Sequence, residues 1–245
     1  MTVTDYRQRI YQQYLEAGPA APAVEKLAEF RRRVPYLKRL IRDHFPEDHE
    51  TAILDLACGA GALEYFARRR GFANIVGIDR SPQQVAAARS MGLTGVREGE
   101  LLAVLESLEG ESQGLVIAFD VLEHFRKDEA LRFMDQVNRV LAPGGKVIIH
   151  TPNGSSPFSG RVGHGDFTHE TIFTRDSLGQ LLTSCGFSRI ECYEDQPVVH
   201  GMVSGLRWLL WRMLRGTLRF YLAVETGNLV REEILSQNLL CVAVK

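Results

Sequence analysis

The chain is 245 residues long, 45% hydrophobic and 24% charged, with a formal net charge of -1. That length suits one generous domain or a core with appendages, and the composition excludes a disordered or fibrous chain. The charge balance lacks the basic surplus of a nucleic-acid binder, so no nucleic-acid partner is expected. The four cysteines (Cys58, Cys185, Cys192 and Cys241) show no C-x-x-C spacing, which argues against a zinc site. Their low density argues against a disulfide framework. The polar start, Met1 to Ile10, does not read as a secretory signal. No run of about 18 uncharged apolar residues occurs, so a cytoplasmic location is expected.

Thr4 to Ala17 reads as a polar helix, broken by the run from Gly18 to Pro22. A second helix is expected over Ala23 to Phe45, because Val24, Leu27, Phe30, Val34, Leu37 and Ile41 recur at helical steps. Pro35 is expected to kink or divide it. Residues 1–50 thus read as an N-terminal helical cap. From Thr51 short apolar runs alternate with helical patterns. Strands are expected at Ala52–Leu56, Ile75–Asp79, Gly95–Arg97, Leu115–Phe119 and Lys146–His150, then at Ser188–Glu194 and Leu239–Val244. Helices are expected to follow the first two strands, over Glu129–Leu141 and over Ser177–Cys185. The alternation implies an α/β fold with a doubly wound, mostly parallel seven-stranded sheet. Residues 51–196 read as its core, 197–237 as an amphipathic helical insertion and 238–245 as the last core strand.

In such sheets ligands bind beyond the carboxyl ends of the strands. The run Asp55-Leu56-Ala57-Cys58-Gly59-Ala60-Gly61 follows the first strand, and its glycines let backbone approach a ligand closely. Cys58 reads as a small residue that fits the turn, with a reactive thiol as the alternative. Asp79 ends the second strand, where a carboxylate can accept both hydroxyl protons of a ribose. A dinucleotide loop needs a third glycine where this chain has Glu64, and a carboxylate at that helix start would repel a pyrophosphate. A nucleoside ligand without phosphates fits better than NAD.

Four segments resemble the class I S-adenosylmethionine (SAM)-dependent methyltransferases. They are Leu54 to Gly61, Val76 to Asp79, Phe119-Asp120-Val121-Leu122-Glu123-His124-Phe125, and Leu141 to Lys146. The third is similar to the branch that holds ubiquinone-biosynthesis O-methyltransferases. The resemblance implies a Rossmann-like methyltransferase that uses SAM and releases S-adenosylhomocysteine. It implies that Asp55, Ala57, Gly59 and Gly61 line the methionine end of SAM. Asp79 would hold the ribose, Arg80 would lie beside the adenine, Glu100 would bond the adenine amine and Leu101 would pack on the ring. Asp120 and Leu122 would flank the sulfonium. Glu100 departs from the family, which usually carries an aspartate there.

Methyl transfer to an alcohol needs a base, and His169 or His124 is expected to serve, with Glu123 beside them. His124 is read alternatively as an organiser of its loop. Glu123 with a histidine could hold a divalent metal, although none is expected. The loop Thr151 to Pro157 could bind a hydroxyl-rich acceptor or act as a lid. Leu206 to Val224 carries Trp208, Trp211 and four arginines (Arg207, Arg212, Arg215 and Arg219), and no acid. At 100° per residue these arginines share an arc of about 140°, with most of the apolar residues opposite. That pattern suggests a helix on the inner face of a membrane. The alternatives are packing on its own core or against a second copy in a homodimer. The acceptor is expected to be a sugar or lipid-linked saccharide, as in polysaccharide biosynthesis. The alternatives are a quinone precursor or small phenol, or a non-catalytic nucleoside-binding protein.

Overall fold

The structure, a computed structural model, describes residue 10, residues 27–228 and residues 233–245. The helix expected over Thr4–Ala17 otherwise lies outside those residues. In chain order the elements begin with α1 (Leu27–His44), β1 (Ile53–Leu56), α2 (Ala62–Arg68), β2 (Ile75–Asp79) and α3 (Pro82–Ser90). Next come β3 (Val96–Glu98), α4 (Leu101–Ser107), β4 (Gln113–Phe119), a single turn at Leu122–His124, α5 (Lys127–Val140) and β5 (Leu141–Pro152). The chain closes with α6 (Ser159–Gly163), α7 (Arg175–Ser184), β6 (Ser188–Glu194), α8 (Met202–Thr226) and β7 (Asn238–Val244).

One seven-stranded sheet has the order β3-β2-β1-β4-β5-β7-β6. The first five strands pair in parallel, and β7 runs antiparallel to both β5 and β6. The strand order reverses between β1 and β4, so the loops that leave them diverge and open a crevice there. Both faces of the sheet are buried. Leu54, Leu56, Val116, Ala118, Val147 and Ile149 pack with α5 and α7 on one face. Ile53, Ile75, Leu115, Ile117 and Ile148 meet Phe30, Leu37, Leu40 and Ile41 of α1 on the other. This two-sided burial is why the strands read as continuous apolar runs rather than alternating ones.

Pro35 lies inside α1 without dividing it. The apolar stripe on both sides of Pro35 is anchored in the core, which holds the helix together across the missing N–H. Two short helices, α4 and α6, stand where the sequence showed no helical period. β5 is counted from Leu141, because the chain pairs with Gln113 before a register shift and resumes at Lys146. The Thr151–Pro157 loop is not a free lid. Asn153 is fully buried, and its Nδ2 donates to the carbonyls of Ile234 (2.7 Å) and Ser236 (2.9 Å), which ties the end of β5 to the approach to β7.

The four arginines of α8 lie on one side of the helix, as the sequence indicated, and that side carries the contacts with the body. Arg215 pairs with Glu194, and both Arg215 and Arg219 donate to the carbonyl of Glu233. Met202, Leu206, Leu209, Leu210, Met213, Leu214, Phe220, Tyr221 and Val224 point into solvent. Among the described residues the apolar face thus does not pack on the core. No helix among the described residues is long and apolar enough to cross a membrane.

Candidate active site

The loop after β1 takes a path that requires its glycines. Ala57, Gly59 and Gly61 all have positive φ, at 58°, 57° and 77°. A Cβ on Gly61 would lie 2.9 Å from Leu93 and Val96, whereas one on Gly59 would point into open space. The Gly59 backbone therefore faces a cleft, while Gly61 packs α2 onto the sheet. Asp79 straps this loop: its Oδ2 accepts from Gly59 N–H and its Oδ1 from Ser81 N–H, both at 2.8 Å. Asp79 is not a helix cap, since Ser81 caps α3. Each carboxylate oxygen keeps a lone pair for a further donor.

Asp55, Ala57, Cys58, Gly59, Phe119, Asp120 and Arg33 line a cleft of about 370 Å³. That volume lies within the ~300–1,000 Å³ range of small-molecule sites. Burial, aided by the nearby Glu64 carboxylate, pushes Asp55 up to about 8. Cys58 sits against Gly77, where an added Cβ would lie 2.7 Å from its sulfur. Burial pushes its thiol above the usual range. The thiol is thus a packed, unreactive group.

The remaining expected cofactor residues are spread more widely. Arg80 is exposed at the end of β2. Glu100 caps α4 by accepting from Ala103 N–H at 2.8 Å, so one of its oxygens is committed to the helix. Leu101 is half-buried against the core under that helix. Leu122 needs correction: its side chain is fully buried in the core and cannot flank a sulfonium. The argument from Glu64 also changes. Glu64 is buried, with one oxygen paired to Arg68 at 2.7 Å, so it lies in the core near Asp55 rather than in the wall of the ligand cleft. What disfavours a dinucleotide is the missing third glycine.

A second cavity of about 640 Å³ lies between α1, α8 and the approach to β7. Tyr36, Asp195, Gln196, Gln237, Asn238 and Trp211 are in its wall, and Arg33 lines both cavities. His150 lies between Asp120 and Asp195. None of Tyr36, Asp195 or the amides carries a motif, whereas His150 reads from the sequence as a strand-end histidine that could face the pocket.

Glu123, His124 and His169 are brought together, but none of them lines either cavity. Thr168 gives its hydroxyl proton to Asp166 (2.7 Å), so His124 Nδ1–H donates to Thr168 Oγ1 (2.9 Å). His169 Nδ1–H donates to the Gly163 carbonyl at 3.0 Å. Each Nε2 is left as the lone-pair nitrogen. With the Glu123 carboxyl, the ligand atoms of the three lie within 4.8 Å of one another, a set able to hold a divalent cation. Burial, with the charge of Asp120 added, pushes Glu123 up to about 8, so at pH 7 it would give up a proton to a metal. Burial and the adjacent His169 hold His124 below its ordinary value, hence neutral.

Comparison with known proteins agrees with this architecture. The methyltransferase domain family matches residues 24–191. A ubiquinone biosynthesis O-methyltransferase of Rickettsia bellii is 28% identical over 123 residues, 49% of this chain and 50% of that protein. The chain thus spans about half the length of such curated relatives. Among solved structures, a SAM-dependent methyltransferase of Archaeoglobus fulgidus superposes with a TM-score of 0.59 at 18% identity, over 98% of this chain and 100% of that one. A phosphoethanolamine N-methyltransferase of Haemonchus contortus, solved with SAM, gives 0.61 at 17% identity, over 100% of this chain and 60% of that one. At such identities the likeness is one of fold. The strand order, the strapped glycine loop and the family match together establish that the chain belongs to the methyltransferase domain family, with the Rossmann-like fold of SAM-dependent methyltransferases.

Proposed function

We propose that the protein transfers the methyl group of SAM to a hydroxyl of a lipid-linked acceptor, a saccharide foremost. The observation that carries this reading is the pair of adjoining cavities that share Arg33. The smaller cavity offers carboxylates (Asp55 and Asp120) and open glycine backbone. Those groups suit a cationic, phosphate-free ligand. Asp79 would take the ribose hydroxyls, Arg80 would lie beside the adenine, and Asp55, Ala57, Gly59 and Gly61 would line the methionine end. SAM supplies an electrophilic methyl on a positive sulfur. The larger cavity offers Gln196, Gln237, Asn238 and Ser236 beside Trp211, a set of amide and hydroxyl groups next to an aromatic face that suits sugar hydroxyls.

The exposed face of α8 supports a lipid setting. At 100° per residue its exposed apolar side chains cover an arc of about 140°. Arg207 and Arg212, also exposed, lie along the two edges of that arc, where they meet phosphate headgroups. Trp211, Leu214 and Arg207 also line the larger cavity, so a bound membrane would lie beside its mouth. A second acceptor class, a prenylated phenol, is favoured by the similarity to the Rickettsia O-methyltransferase.

Transfer of label from methyl-tritiated SAM tests the reading. The expected result is tritium in an alkyl glycoside or alkyl catechol presented in lipid vesicles, with S-adenosylhomocysteine formed in equal amount. Micromolar SAM binding without transfer to either class would overturn the hydroxyl assignment and favour a nucleoside-binding protein without this activity.

SAM binding is also expected to depend on pH. Asp55 is neutral at pH 7 in the free protein, because its carboxyl titrates at about 8. A cationic ligand beside it favours the ionised form, so binding expels a proton. Affinity should rise between pH 6 and 8, by up to about tenfold per pH unit. Calorimetry in buffers of different ionisation heat would report the released proton. The Asp55→Asn variant should release none.

A further inference from the structure

One buried histidine joins the two cavities. His150, in β5, has Nδ1 2.6 Å from Asp120 Oδ1 and Nε2 3.6 Å from Asp195 Oδ2. Asp120 opens into the cofactor cleft, and Asp195 opens into the larger cavity. The ring is fixed between aromatic walls: Phe119 lies 5.2 Å away and Tyr36 of α1 lies 6.3 Å away, between ring centroids. Both imidazole nitrogens therefore face a carboxylate, one lining each cavity. Two further groups line the larger cavity from α1, namely Arg33 and Tyr36, whose buried hydroxyl has no hydrogen-bond partner among the described residues.

We propose that Asp195 is the general base that takes the acceptor's hydroxyl proton, and that His150, clamped between Asp195 and Asp120, is the residue that positions it. This assignment rests on the hydroxyl-transfer reading above. As the acceptor oxygen forms its bond to the methyl carbon, the methyl–sulfur bond breaks and its electron pair stays on sulfur. The oxygen gains positive character, its proton becomes acidic, and a carboxylate suffices to take it. The proton passes to Asp195 and from there to water.

The charges balance on this route. Burial works against a charge on His150, but the hydrogen bond to Asp120 and the charges of Asp120 and Asp195 outweigh it and push the imidazole up to about 10. Burial would raise Asp120, and the hydrogen bond and charge of His150 instead hold its carboxyl below the usual range. The other groups facing the trio are Glu123 and His124 from the turn after β4, with Tyr36 and Arg33 from α1. Around neutral pH the two carboxylates and the imidazolium therefore sum to one negative charge, opposite the single positive charge of a sulfonium. After transfer the sulfur is neutral, and the proton on Asp195 brings the trio to neutrality too. The trio and the sulfur thus lose their opposite charges together, with the Arg33 guanidinium alongside, which limits the electrostatic cost of the step. His124 and His169, the bases expected from the sequence, line neither cavity and have no such line to an acceptor.

The test is methyl transfer from SAM to two vesicle-borne probes, an alkyl glycoside and an alkyl nitrophenol, across pH 5–9. With the glycoside, Asp195→Asn is expected to lower kcat roughly 100-fold or more, the usual scale for loss of a general base, while SAM affinity stays within about threefold. With the nitrophenol at the alkaline end of that range, where it is ionised, the loss should shrink to less than about tenfold, a difference that mere structural damage would not produce. Asp195→Glu should recover part of the glycoside rate. His150→Gln removes the clamp on the base, so the glycoside kcat should fall at least about tenfold while SAM affinity stays within about threefold and the nitrophenol rate changes less. An Asp195→Asn variant that keeps the wild-type glycoside rate, or that loses equal activity on both probes, overturns the assignment alone. A wild-type protein that binds SAM but methylates neither probe overturns the hydroxyl reading and this assignment with it.

Discussion

Replacing Asp79 with alanine is expected to weaken SAM binding at least a hundredfold while leaving the chain folded. The carboxylate has two tasks. It holds the Gly59 and Ser81 backbone N–H groups at 2.8 Å each, and it would offer its remaining lone pairs to the ribose hydroxyls. Hydrogen bonds to a charged group contribute about 1.5–3 kcal/mol each, so losing two of them to the ligand alone amounts to about 3 kcal/mol or more. By the 1.4 kcal/mol per decade relation, that is about a hundredfold or greater. The freed Gly59 N–H adds to the loss, because the glycine loop at φ 57° no longer has its anchor. Asp79→Asn should do less damage, since one amide oxygen can still accept from the loop. Calorimetry with SAM and S-adenosylhomocysteine checks this. Unchanged affinity in Asp79→Ala would place the nucleoside elsewhere.

The second large effect concerns α8. A triple variant, Leu210→Glu, Met213→Glu and Phe220→Glu, is expected to abolish sedimentation with vesicles rich in phosphatidylglycerol, with at least a hundredfold loss of partition. All three side chains are more than half exposed. Burying a Leu, Met or Phe side chain in an apolar phase stabilises by about 1.5–3 kcal/mol, so partial insertion of three is worth several kcal/mol. Glutamates would also repel an anionic surface next to Arg207 and Arg212. SAM affinity should not change, because none of the three lines the smaller cavity. A contiguous apolar stripe of this size on a lone chain implies a covering surface. If wild type ignores vesicles but doubles its mass with concentration, and the variant does not, the surface is a second copy of the chain.

The proposed cofactor half was largely legible in the amino-acid sequence because its constraints are local. A glycine at positive φ, a carboxylate at a strand end and an apolar run buried on two faces each record themselves within a few neighbouring residues, as at Gly59, Gly61, Asp79 and β4. The alternation of strands and helices specified the sheet for the same reason. The acceptor half depended on long-range assembly. Tyr36, Asp120, His150 and Asp195 come from α1, the β4 end, β5 and the segment after β6, and only the strand order brings them to one point. No periodicity links such positions. Leu122 shows the converse: its place in a motif is local, but the direction of its side chain was decided by the core beneath it. Glu64 looked like a free charge until α2 placed Arg68 against it one turn later.

The amphipathic pattern of α8 was determined by the sequence, down to which residues share a face. Which face turns inward was not, because that depends on what the rest of the fold presents. Glu194 at the end of β6 and the carbonyl of Glu233 attract Arg215 and Arg219, so the cationic side docks and the apolar side remains outside. Sequence alone thus determined the sheet, the glycine loop and the strand-end carboxylate Asp79, each a matter of local backbone geometry and burial. The tertiary structure alone decided the larger cavity, the Asp120–His150–Asp195 bridge and the outward apolar face, because each rests on charges and surfaces that meet only after the chain has folded.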